Sequence, residues 1–153
     1  MTALAELSVL QEHITQLEEQ HLDQEAANAF QRAYALALAQ HRGATVTELT
    51  EALNISKARF HALMKHLEGP KAATEPRANL KDPIATAAEL HQLIITNHNR
   101  YQEEANELRN RRGELILRAL DVEGAKPRHL QEALGLSRSR IYTLTTNART
   151  NKT

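Results

Sequence analysis

The side chains with the most chemistry to offer lie in one short stretch near the C-terminal end: Ser137, Arg138, Ser139, Arg140, Tyr142, Thr143, Thr146 and Arg149. On a helix turning ~100° per residue, Ile141 and Leu144 mark the buried side. Ser139, Tyr142, Thr143 and Thr146 then lie opposite, with Arg138 and Arg149 on one edge and Arg140 on the other. Outward guanidinium and hydroxyl groups suit both phosphate oxygens and base edges. The same set also suits the solvated face of a helical protein-binding module. A second set, Ser56, Lys57, Ala58, Arg59, His61 and Lys65, sits earlier in the chain. It is less polar. Its outward Ala58 and Ala62 offer contact with a thymine methyl or nothing, so this copy is either a direct reader or a structural one.

Other chemistries find no support. There is no Cys, which excludes disulfides and thiolate metal sites. His13 and His21 are eight apart, His61 and His66 five, and His91 and His98 seven. None of these pairs has the i, i+4 spacing that sets two imidazoles side by side on a helix, so no metal site is expected. No glycine-rich phosphate loop, nucleophile elbow or carboxylate pair is present. The expectation is therefore no enzyme, no catalytic residue, no cofactor and no small-molecule ligand.

The outward residues need a scaffold, and the sequence around them describes one. Leu130, Ala133 and Leu134 share a helical face. Gly135 follows, where a helix commonly ends in the left-handed region. Ser137 can accept from the first free backbone N–H groups of a new helix. Ile141 and Leu144 point back toward Leu130, Leu134 and Leu136. The pattern occurs twice. A shift of 81 positions aligns Leu49 with Leu130, Ala52 with Ala133, Leu53 with Leu134, Ser56 with Ser137, Arg59 with Arg140 and Leu63 with Leu144. Asn54 stands in place of Gly135, and Asn is the next most tolerant residue in a left-handed turn. We read this as a tandem duplication.

Both segments resemble the helix-turn-helix superfamily, nearest to the promoter-reading domain of sigma factors and the C-terminal domain of resolvases and invertases. Leu130, Glu132, Ala133, Leu134, Gly135, Leu136, Ser137, Ile141 and Leu144 carry the likeness. The family pattern favours a small residue after the first leucine, where this chain has Thr50 and Gln131. The resemblance implies binding to double-stranded DNA, with groove-facing positions just after the turn and one turn later, at Arg138, Ser139 and Thr143.

The rest of the chain supplies long helices. Residues 3–41 contain neither Gly nor Pro. As one helix of 39 residues they would run roughly 58 Å, long for a small domain, so two helices or a kink near His21 and Asp23 are expected. Leu7, Leu10, Ile14 and Leu17 follow 3-4-3 spacing. This seam is either a homodimer interface or packs on residues 87–108 of its own chain. Asp82-Pro83 starts a second long stretch, with Gly113 as a possible break. Residues 145–153 are expected to fray.

The expected fold is all-α: two tandem repeats, each a long helix plus a three-helix unit. The first spans residues 1–69 with its motif at 47–67, a linker occupies 70–82, and the second spans 83–148 with its motif at 128–147. Aromatics make up only 3% of the chain, so Leu, Ala and Ile must form the core. Net charge is zero, yet residues 1–29 hold six acids and no Lys or Arg, while residues 124–153 hold six bases and one acid. Segregation of this kind can build a basic face on a neutral chain. No apolar run reaches the ~20 residues of a membrane span, and the start lacks a basic signal-peptide region, so a cytoplasmic location is expected. The expected function is a DNA-binding transcriptional regulator or mobile-element accessory factor. The alternative is a helical adaptor that binds a protein, or itself, through its long helices.

Overall fold

A computed structural model of the chain describes residues 2–68 and 81–151. Among them every regular element is helical: α1 (Ala3–His41), α2 (Val46–Leu53), α3 (Lys57–Met64) continued by a 3-10 turn (Lys65–Glu68), α4 (Pro83–Asp121), α5 (Pro127–Leu134) and α6 (Arg138–Asn151). No described residue is in a strand, in keeping with the expected all-α fold. The expected linker at 70–82 lies outside the described residues apart from Lys81 and Asp82.

The helix boundaries follow from local chemistry. The Thr45 side chain accepts from the Glu48 N–H, and Glu48 reaches back to the Thr45 backbone, closing a capping box ahead of α2. Thr45 is therefore the cap of α2, and one turn on the Thr47 carbonyl accepts from the Thr50 hydroxyl. Asp82 accepts from the Ala85 N–H, and Pro83 occupies the first turn of α4, where a missing N–H is harmless. Ser56 and Ser137 cap α3 and α6 by accepting from Arg59 and Arg140 N–H groups at 3.1 and 3.2 Å.

Between each short pair the chain turns through a left-handed residue. Asn54 has φ 56° and Gly135 has φ 67°. A Cβ built on Gly135 would meet nothing within 4 Å, so any penalty for filling that position comes from the backbone alone. Gly135→Val should lower stability by about 1–2 kcal/mol, the cost of holding a branched side chain in the left-handed region. Asn54→Gly should be neutral or mildly stabilising. Urea unfolding of both variants checks this, and a Gly135→Val protein as stable as the parent would contradict the turn.

Two expectations about the long helices are overturned. α1 runs without a break from Ala3 to His41, and α4 passes through Gly113 uninterrupted. Polar residues at the expected weak points are accommodated by partners. Gly113 is not a break but a close approach: a Cβ there would lie 3.2 Å from the Ala148 Cβ. That contact, with the Arg149–Asp121 ion pair at 3.0 Å, holds the end of α6. Residues 145–151 are accordingly helical rather than frayed.

The chain divides into two compact units, neither of them contiguous with the expected repeats at 1–69 and 83–148. One comprises residues 1–20 and 101–153, the other residues 21–100. Each is described by itself. In the first, Ala3 and Leu7 of α1 pack with Leu115, Ile116 and Ala119 of α4, Leu130 and Leu134 of α5, and Ile141 and Leu144 of α6. The two long-helix segments run antiparallel there, as the bonds Arg112–Gln11 at 2.9 Å and Arg118–Glu6 require. In the second, Ala35, Leu36 and Ala39 of α1 pack with Leu49 and Leu53 of α2, Phe60 and Leu63 of α3, and Ala87 of α4. A short helix pair cannot bury its apolar face alone. Each pair is completed by segments of both long helices.

The seam Leu7, Leu10, Ile14, Leu17 faces its own chain at its N-terminal end. Leu7 is fully buried, Ile14 is buried, and Leu10 packs against the first core. There Leu7 and Leu10 pack with residues 115–119 and the α5–α6 pair rather than with residues 87–108.

Candidate functional site

α6 presents the polar face expected of it. Arg138, Ser139, Arg140, Tyr142, Thr143 and Thr146 are all exposed, and Tyr142 is 74% exposed, while Ile141 and Leu144 turn inward. Among the described residues neither Arg138 nor Arg140 takes part in an ion pair. The Ser137 hydroxyl serves as the helix cap, and the Thr143 hydroxyl donates to the Ser139 carbonyl at 3.1 Å. Arg149 differs from its neighbours. It forms a two-pronged pair with Asp121 at 3.0 Å for each contact, which raises its pKa and ties its guanidinium down.

A groove between the C-terminal part of α4 and α6 adds residues that sequence reading missed. Arg109, Arg112 and Arg140 line it together with Asn106, Asn110 and Asn147. Arg112 is only 7% exposed and donates to the Gln11 side chain. Burial lowers its pKa, repulsion from Arg140 and Arg109 lowers it further, and Glu18 opposes. The groove acids are already engaged, Glu114 by Arg111 at 3.2 Å and Asp121 by Arg149. Positive charge is thus crowded at the root of α6. The only sequence signal was the run Arg109-Asn-Arg-Arg, which reads as an ordinary solvated helix face.

The α3 surface is equally exposed at Lys57, Ala58, Arg59, His61, Ala62 and Lys65, with Phe60 and Leu63 inward and Ser56 engaged as cap. Beneath it lies Arg32 of α1, 3% exposed. Its Nη1 donates to the His91 Nδ1 at 2.8 Å, while its Nε has no partner among the described residues. Burial, joined by repulsion from Arg59 and opposed in part by Glu25, lowers the Arg32 pKa to about 10. Arg32 remains a cation at neutral pH, so His91 must accept from it as the neutral imidazole.

Burial first, then Arg32 and Arg59, lower the pKa of His91; His66 is lowered by the same groups, with Glu25 opposing. Above ~pH 6.5, the unfolded value, both forms of the chain carry neutral imidazoles and the arrangement is at full stability. As pH falls below that value the unfolded chain binds protons that the folded one refuses, so stability declines until the folded pKa is passed. Urea midpoints measured between pH 7.5 and 5 should fall with acid, and His91→Gln, which keeps an acceptor, should flatten the slope. An unchanged slope would remove His91 from this account.

No metal site was expected from the histidine spacing along single helices, yet one pair of histidines meets across two helices. His21 and Glu25 of α1 and His98 of α4 bring three potential ligand atoms within 4.8 Å of one another. The spacing argument considered histidine pairs along one helix, and this group joins two helices through a carboxylate.

No family model, curated protein sequence or solved structure matches the chain.

Proposed function

We propose that the chain binds double-stranded DNA through two helix-turn-helix motifs, α2–α3 and α5–α6, as a transcriptional regulator or mobile-element accessory factor. The observation that carries this reading is the α6 face. Arg138, Ser139, Arg140, Tyr142 and Thr143 point outward together, free of ion pairs among the described residues and beside the arginine-lined groove. Exposed guanidinium groups with adjacent hydroxyls can hold phosphates and read base edges, and the crowded positive charge favours a polyanion.

The reading includes a tandem duplication of long helix, short helix and outward helix. It is supported by helix lengths: α1 and α4 each have 39 residues, and α2 and α5 each have 8. The starts of α2 and α5, at Val46 and Pro127, differ by the 81 positions of the sequence repeat. The test is titration of fluorescent generic duplex with the full chain at several salt concentrations. Affinity should fall steeply as salt rises, because neutralised phosphates release counterions.

The adaptor alternative would draw on exposed apolar side chains of the long helices, such as Leu22 of α1 and Leu93 and Ile95 of α4. Salt-insensitive binding, or none, would shift the conclusion to that reading.

A further inference from the structure

We propose that His21, Glu25 and His98 form a binding site for one late first-row divalent cation of the zinc type. All three residues belong to the unit of residues 21–100. α1 supplies His21 and Glu25 one turn apart on the same face, and α4 supplies His98.

The donor geometry fits an ion. The His21 Nε2 lies 2.8 Å from the Glu25 Oε2 and 3.4 Å from the His98 Nδ1, and the latter two are 4.0 Å apart. Tetrahedral zinc with bonds of ~2.0–2.1 Å to nitrogen and oxygen holds its donors ~3.4 Å apart. The three separations bracket that value, so small side-chain rotations close the site. Two imidazoles and one carboxylate are the ligand set of an open zinc site, leaving a fourth position for water or another group. Calcium and magnesium require more oxygen donors than this cluster offers.

One cation between these atoms would take a lone pair from each of the three side chains. His21 is buried while the side chains of Glu25 and His98 are 42% and 49% exposed, so an ion can enter from solvent. Gln24, Asn28 and Asn97 line a cleft together with His21 and Glu25.

The repeat provides an internal control. Shifting by 81 positions puts Gln102, Asn106 and Leu17 where His21, Glu25 and His98 stand, a set that cannot bind zinc. One ion per chain follows, and it would fasten α1 to α4 within its unit. Because the unfolded chain lacks the assembled site, the ion should stabilise the folded unit.

The test is calorimetric titration of the full chain, first stripped with chelator, with zinc chloride at neutral pH. One equivalent is expected, with cobalt(II) in its place giving the visible absorption of a tetrahedral complex. His98→Gln and Glu25→Gln should each weaken binding by more than the ~10–100-fold typical when only a residue behind a ligand is lost. His13→Gln should bind like the parent. Zinc should raise the melting temperature of the parent but not of His98→Gln. Circular dichroism of the metal-free variants checks that they fold. Absence of saturable one-to-one binding, or binding that survives both ligand substitutions, would overturn the site and leave the cluster an ordinary His–Glu ion pair.

Discussion

Phe60→Ala is expected to lower the stability of the unit of residues 21–100 by about 3–5 kcal/mol, the usual cost of emptying a large aromatic site. Phe60 is 2% exposed and sits among Leu36, Leu49, Leu53 and Leu63. The chain has only two phenylalanines and no Trp, so little else can fill the space. Removing the ring loses its transfer free energy and leaves a cavity that alanine-rich neighbours cannot close. The loss should appear in hydrogen exchange as weakened protection of α2, α3 and the adjoining parts of α1 and α4. Ile141 occupies the shifted position in the other core and is 2% exposed. Ile141→Ala should therefore weaken α5 and α6 instead, by about 2–5 kcal/mol. If either substitution removed protection uniformly across the chain, the two cores would have to unfold as one.

The second large effect concerns DNA and rests on the proposed function. Arg138→Ala is expected to relax base preference at one or two positions and to cost ~1–3 kcal/mol on the preferred sequence. Arg138 stands in the first turn of α6, exposed and without an ion pair among the described residues, where a guanidinium can hold guanine through two hydrogen bonds. Lys57→Ala should weaken all sequences alike and reduce the salt slope by roughly one phosphate contact. Arg140 should behave like Lys57, because it lines the groove with Arg109 and Arg112. Arg149→Ala should matter less than either, since Asp121 already holds that side chain. The measurement is binding of each variant to matched and mismatched duplexes across a salt series. If Lys57→Ala changed base preference and Arg138→Ala did not, the roles of α3 and α6 would be exchanged. If neither altered affinity, the adaptor alternative would become the better account.

Some of this molecule is written in short-range residue order. The turns at Asn54 and Gly135 and the caps at Ser56, Asp82 and Ser137 were legible, because a left-handed residue and a side-chain cap act within a few positions. So was the inward and outward division of α3 and α6, since helical spacing alone separates Phe60, Leu63, Ile141 and Leu144 from their polar neighbours. What runs between elements was not. His21 and Gly113 read as weak points, yet α1 and α4 continue through them, because Glu25, His98 and Ala148 from one turn away or another helix make those positions favourable. The tail of α6 is ordered by Gly113 and Asp121, neither of which is near it in sequence. The compact units themselves join residues 1–20 to 101–153, a grouping that repeat spacing does not contain. The arginine groove and the His21–Glu25–His98 cluster share that origin. Their members are ordinary polar residues on separate stretches of helix, and only packing within a unit brings their charges and lone pairs to one point.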